Sequence, residues 1–235
     1  YISYSPQGLI IHNFIVTSDT SKISINSRQE IVNSPIDILI DNFNLKSVSS
    51  ILNNDTVFVS GVMDAKMEVS ELNKKLPAFT GNLSVTNLAV MEQPLGTLTA
   101  SANKQSENNV SATVALTGNG NDITAKGNYY LNNELQQFDA MADMKKLSLA
   151  TLQGFTKGQL KNATGNMYGN ITISGKFADP QWKGALNFDT TKFTLTQLGT
   201  AFKINKQKIV FDYPAVTFNN FIIQDTLDHQ LKIDG

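Results

Sequence analysis

A stretch of the chain occurs twice at a fixed distance, and this repetition constrains the fold more than any single residue. Pro77-x3-Gly81-x-Leu83-x-Val85, followed by Leu95-Gly96-Thr97, returns 103 residues later. The second copy is Pro180-x3-Gly184-x-Leu186-x-Phe188, followed by Leu198-Gly199-Thr200. A further set links Ile36-Asp37, Asp41 and Leu45 to Phe138-Asp139, Asp143 and Leu147 at a spacing of 102. Self-similarity of this kind implies units added in a row, each burying its apolar face against its neighbours. Full units are expected at 1–104 and 105–207, with the start of a third at 208–235. In that third piece Asn220-Phe221-Ile222-Ile223 echoes Asn13-Phe14-Ile15-Val16. An array that begins and ends in mid-unit reads as a piece of a longer protein.

Within the units the dominant period is two. Ile23-Ser-Ile25, Ile36-Asp-Ile38-Leu-Ile40, Met67-Glu-Val69, Leu83-Ser-Val85 and Val110-Ser-Ala112-Thr-Val114 alternate apolar and polar residues. So do Ile171-Thr-Ile173, Leu186-Asn-Phe188, Phe193-Thr-Leu195, Phe202-Lys-Ile204, Ile209-Val-Phe211 and Val216-Thr-Phe218. Such alternation places the apolar set on one face of a strand. Turn signals at Asn53-Asn54-Asp55, Gly118–Asp122, Asn132-Asn133, Asp179-Pro180 and Asn219-Asn220 leave no room for the crossovers that parallel pairing needs. The expected fold class is all-β, a mostly antiparallel meander of about 18 strands. Two stretches, Leu45–Leu52 and Leu147–Phe155, have apolar spacings nearer three and four and predict short helices between strand groups.

Composition removes several function classes. The net charge is −1 and no Lys/Arg run exceeds pairs such as Lys74-Lys75 and Lys145-Lys146, so a nucleic-acid stripe is missing. Charged residues make up 17% of the chain, below the usual proportion of about 25%, and uncharged polar residues fill the outward positions instead. There is no cysteine, hence no disulfide and no thiolate metal site. The only histidines, His12 and His229, lie in opposite terminal pieces without an acid constellation. No nucleophile-elbow or phosphate-loop pattern occurs, and the chain reads as a non-enzyme without cofactor. Asp37/Asp41 and Asp139/Asp143 are expected to be solvated on a polar face. The Gly118–Asp122 run reads as a tight turn rather than a calcium loop, and Trp182 as a packing anchor beside Pro180. Gly165, Gly169 and Gly184 read as turns or bulges.

The second unit carries an ordered signature. Gly165-x3-Gly169-x-Ile171-x-Ile173-x-Gly175 leads to Asp179-Pro180-x-Trp182-x-Gly184-x-Leu186-x-Phe188, then Leu198-Gly199-Thr200 and a strand ending in Phe211-Asp212. This resembles the C-terminal region of the TamB family, the translocation and assembly module proteins related to AsmA-like proteins. The first unit departs from the pattern, with Ala65 in place of a Gly and Glu71 near where Gly175 would fall. The resemblance implies a long curved antiparallel sheet with an apolar concave face (a β-taco, or β-groove). It also implies a periplasmic location, an inner-membrane anchor supplied by an N-terminal helix outside this sequence, and a TamA-like or BamA-like outer-membrane barrel as partner. Phospholipid is the expected cargo.

Chemistry meets that implication on the alternating face. A 16-carbon acyl chain exposes methylenes at about 0.8 kcal/mol each, or about 12 kcal/mol in water. A trough lined by Leu83, Val85, Ile171, Ile173, Leu186, Phe188, Phe193, Leu195, Phe202, Ile204 and Phe211 would offset most of this along a length of roughly 85 Å. Hydrophobic contact is non-directional, so chains would be held without being fixed, and head groups in solvent would be weakly selected by charge. Two other readings use the same alternation: a scaffold whose open sheet edges template outer-membrane barrel strands, and a β-repeat with a closed, dry core.

Overall fold

Alternating chains satisfy their backbone groups by lateral pairing, and pairing gathers their apolar positions on one face. The computed structural model describes residues 1–47, 58–104, 108–131, 133–135 and 137–235. A first hairpin, β1 (Ile2–Ser5) and β2 (Gly8–Ile11), precedes β3 (Phe14–Ser18), β4 (Ser21–Ser27) and β5 (Ile36–Asn44). Long strands follow: β6 (Val59–Ser70), β7 (Ala78–Val90), β8 (Gln93–Lys104), β9 (Asn109–Gly118), β10 (Asn121–Tyr130) and β11 (Phe138–Ser148). Helix α1 (Leu149–Gln153) leads to β12 (Leu160–Thr164), β13 (Asn166–Lys176), β14 (Asp179–Phe188), β15 (Thr191–Leu195) and β16 (Thr200–Ile204). The chain closes with β17 (Lys208–Asp212), β18 (Ala215–Phe218), β19 (Phe221–Asp225) and β20 (Gln230–Ile233).

Thirteen of these strands form one open antiparallel sheet in the order β18-β17-β14-β13-β11-β10-β9-β8-β7-β6-β5-β4-β3. Five form a second sheet, β12-β15-β16-β19-β20. The all-β antiparallel expectation holds, but the single run of about 18 strands does not. Thirteen strands have twelve spacings of about 4.8 Å, which gives about 58 Å rather than 85 Å. After β14 the chain leaves the main sheet because β15 and β16 carry an apolar face of their own. Laying that face against the main sheet removes both from water. Sequence equivalents therefore part company: Leu95, at the start of β8, is 3% exposed, whereas Leu198, in the β15–β16 turn, is 64% exposed.

One margin of the main sheet is closed. Met144, Leu147, Leu149, Ala163 and Met167 are buried together, with Leu160 and Phe193 of the second sheet packed against them. Val85, Leu88, Val90 and Leu95 form a second cluster, joined by Leu45 and Val59. Register irregularities of the main sheet fall along this same margin, at Ile40/Phe43, Ser60/Val62, Val85/Leu88, Asp122/Ile123 and Met144/Leu147. Bulges bend strands and increase their twist, so the sheet curls where the clusters form. Helix α1 meets the Leu147–Phe155 expectation, while the other predicted helix lies outside the described residues from Val48 onward, as do the Asn53–Asp55 turn and Asn132. The turn Asn119-Gly120 has positive φ at both residues (46° and 85°), the geometry of a tight two-residue hairpin. Asn121, just after it, is buried and clamps α1: Nδ2 donates to the Leu95 carbonyl at 2.9 Å, and Oδ1 accepts from Thr151 Oγ1 at 2.9 Å and from the Ser148 amide at 3.1 Å.

Gly169 and Gly184 are not in turns. They face the interior of the β13–β14 pair with φ of +151° and +148°. A Cβ on Gly184 would lie 2.1 Å from the Asn170 carbonyl oxygen, and one on Gly169 would lie 2.0 Å from that of Ala185. The two backbones approach more closely here than any side chain permits.

Candidate functional site

Side chains directly opposite on paired strands share a face, so the register defines rows that cross the sheet. One row runs over all thirteen strands: Val16, Ile23, Ile40, Ala65, Leu83, Ala100, Val114, Ala125, Ala142, Ile171, Gly184, Phe211 and Val216. Every member is apolar or glycine. The row beside it, toward the open margin, reads Phe14, Ile25, Ile38, Met67, Gly81, Ala102, Ala112, Gly127, Ala140, Ile173 and Trp182. The row toward the closed margin reads Phe43, Met63, Val85, Leu98, Leu116, Ile123, Met144, Gly169, Leu186, Ile209 and Phe218.

These rows form the floor of a groove that nothing among the described residues covers fully. Val114 and Ile173 are each 38% exposed, well out of the core. A depression of about 470 Å³ sits on the floor between β5 and β9, lined by side chains such as Ile38, Ile40, Met67, Leu83, Ala100 and Val114. Between β8 and β11 the floor is built mostly from small residues, Ala100, Ala125 and Ala142 around Val114 in one row and Ala102, Ala112, Gly127 and Ala140 in the next. Larger residues stand on both sides: Leu98, Leu116, Ile123 and Met144 toward the closed margin, and Tyr129 and Phe138 toward the open one. Phe177 stacks on Phe138 with ring centroids 4.8 Å apart and is itself 63% exposed.

The eleven residues expected to line a groove fall into three groups. Leu83, Ile171, Ile173 and Phe211 are on the open floor. Val85 and Leu186 lie in the row toward the closed margin, and Phe188, at the end of β14, packs into the core there and meets Phe221 edge-to-face at 5.6 Å. Phe193, Leu195, Phe202 and Ile204 belong to the second sheet, where Phe193 pairs with Phe202 and Thr191 with Ile204. Phe193 packs into the closed wedge rather than on the floor, and the register puts the other three on the same face of the second sheet. Apart from Leu83 and Val85, the floor residues of the first unit, and the Ala/Gly strip, were not singled out as lining. Their signal was present in the alternation Val110-Ser-Ala112-Thr-Val114, but alanine carries little apolar weight of its own. Trp182, on the floor opposite Ile173, makes an edge contact with Tyr213 at 5.0 Å.

The reverse face is polar. Asn26, Asp37, Glu68, Thr80, Asn103, Ser111, Asn128, Asp139, Ser174 and Gln181 form one continuous row. A second depression, of about 520 Å³, lies on this side over β5–β9, lined by Asp41, Asp64, Lys66, Ser84 and Ser101. A twisted sheet is saddle-shaped and can be concave on both faces, and this second hollow also takes in Leu39 and Ala115. Of the four aspartates expected to be solvated, Asp37 and Asp139 are partnered. Asp37 accepts two hydrogen bonds from Arg28, at 2.9 and 2.8 Å, and Arg28 also reaches Glu68 at 2.7 Å. The Arg28 hydrogen bonds hold the Asp37 carboxyl below its ordinary range against a smaller opposing effect of burial. Asp139 accepts from Tyr130 Oη at 2.5 Å, which pushes the Tyr130 hydroxyl upward. His12 sits beside Glu30 at 3.1 Å and His229 beside Asp225 at 2.8 Å, at separate ends of the chain.

No protein-family model, curated protein or solved structure matches this chain.

Proposed function

We propose that this chain is a segment of a periplasmic lipid-transfer protein, in which the apolar face of the main sheet shields phospholipid acyl chains between inner and outer membrane. The observation that carries the reading is the thirteen-strand row without a polar member, lying on a face open to solvent. Contiguous apolar surface on an open face marks a ligand-binding groove or an interaction site. The TamB-like order of Asp179-Pro180, Gly184 and Leu198-Gly199-Thr200 supports the same reading, with a BamA/TamA-like barrel as partner at the outer membrane and an anchor at the inner one. The Ala/Gly strip supports it too, since it provides depth for a chain where larger residues stand on either side.

Lipid mass spectrometry on the purified chain tests this reading. Phospholipid is expected to co-purify with the wild type and to be lost in Val114→Arg and Ile173→Arg. Both positions are exposed enough to accept an arginine without unfolding the sheet. Phe188 is unsuited to the test because it is part of the closed core. Absence of lipid from the wild-type protein would overturn the reading. A second reading, a scaffold for barrel assembly, is favoured by the unpaired edge strand β3, whose five residues are all exposed. It predicts crosslinks from β3 to a barrel protein and indifference to Val114→Arg.

A further inference from the structure

The apolar floor contains one charged position among the described residues of the main sheet. Lys104 ends β8 directly opposite Phe79, two residues beyond Ala102 and on the same face. It is 3% exposed. Its Nζ donates to the Leu76 carbonyl at 2.9 Å, and no carboxylate of the described residues lies within ion-pair distance. An ammonium has three donors, and among the described residues the Leu76 carbonyl takes one of them. A buried charge without a counter-charge is unfavourable, and an anion arriving there relieves it.

We infer that Lys104 is the head-group anchor of the groove, and that the preferred occupant is an anionic amphiphile whose carboxylate or phosphate oxygen pairs with Nζ. The geometry beyond Lys104 suits such a molecule. From Ala102 the floor runs through Ala112, Gly127 and Ala140 to Ile173, four strand steps or about 19 Å, the length of a long acyl chain. Tyr129 and Phe138 flank this track on the open side. The weak charge selectivity expected of head groups in open water therefore gives way to a preference for anions at this point. The inference rests on the groove holding acyl chains and adds the class of head group.

Displacement of a neutral fluorescent reporter, N-phenyl-1-naphthylamine, from the purified chain separates the two claims. The competitors are hexadecanol, hexadecanoate and a lysophosphatidic acid with a 16-carbon chain. Both anions, or one of them, are expected to displace the reporter at about tenfold lower concentration than the alcohol. A preference confined to hexadecanoate identifies free fatty acid as the source of the head group, and one confined to the lysophospholipid identifies phospholipid. In Lys104→Met, and in Lys104→Gln as a second variant, the preference is expected to vanish. Lys126→Met, on the polar face, should keep it. Equal displacement by alcohol and anions in the wild type, or an anion preference that survives both Lys104 variants, overturns the anchor while leaving the groove standing. Failure of hexadecanol itself to displace the reporter overturns the groove reading, and the anchor with it.

Discussion

Replacing Ala100 with leucine should weaken acyl-chain binding while leaving the fold in place. Ala100 lies in the unbroken apolar row between Leu83 and Val114 and lines the 470 Å³ depression. Leucine adds three carbons to the floor, in the space a chain would use. If about three methylenes of the chain lose their contact, the loss is about 2.4 kcal/mol, or roughly 50-fold in affinity. Ala125, two strands away in the same row, offers an independent second site. The double variant Ala100→Leu/Ala125→Leu should lose up to about 5 kcal/mol if the two sites add. Ser101→Leu supplies the control, since Ser101 points to the polar face one residue along. The assay is reporter displacement by hexadecanol, with urea unfolding curves to confirm that each variant is folded. The reasoning fails if the folded double variant binds as the wild type does, or if Ser101→Leu is as damaging as Ala100→Leu.

Three further outcomes test the architecture. Leu147→Ala, in the buried cluster beneath α1, should destabilise the chain by about 2–5 kcal/mol in urea titration; a loss below about 1 kcal/mol would mean that the closed margin is not packed as described. Gly184→Ala should cost about 2 kcal/mol or more, because the added Cβ meets the Asn170 carbonyl and L residues rarely adopt this φ. Unfolding curves indistinguishable from wild type would refute the close approach of β13 and β14. Asp37 has a lowered folded-state pKa, so its ion pair with Arg28 stabilises above the unfolded carboxylate value of about 4 and is lost as pH falls through the lower folded value. Asp37→Asn should remove that part of the acid sensitivity and have only a small effect at neutral pH, because the pair is partly solvated. An unchanged pH profile between about pH 2 and pH 5 would count against the pairing.

The strands were legible because period-two alternation is a local property. Ile23-Ser-Ile25 and Ile171-Thr-Ile173 each declare a face without reference to anything distant, and turn residues such as Asn119-Gly120 declare where the chain reverses. The open floor was only partly legible. Leu83, Ile171, Ile173 and Phe211 stand out by size, whereas Ala102, Gly127 and Ala140 acquire a role only when the register sets them side by side. Lys104 gave no signal at all: a lysine at the end of a strand is ordinarily solvated, and its burial depends on the Leu76 carbonyl, 28 residues away.

The amino-acid sequence by itself determined that this chain pairs antiparallel strands with one apolar and one polar face, because side-chain parity is set residue by residue. The repeat added that the pattern recurs at about 103 residues. Tertiary structure decided how far the sheet extends and which of two sequence-equivalent strands joins it. β8 stays in the main sheet, while β16 crosses to the second. Both choices bury similar residues, and they differ only in which distant apolar surface is there to receive them. Met144, Met167 and Phe193 meet in a wedge that closes one margin, and the other margin stays open as a groove.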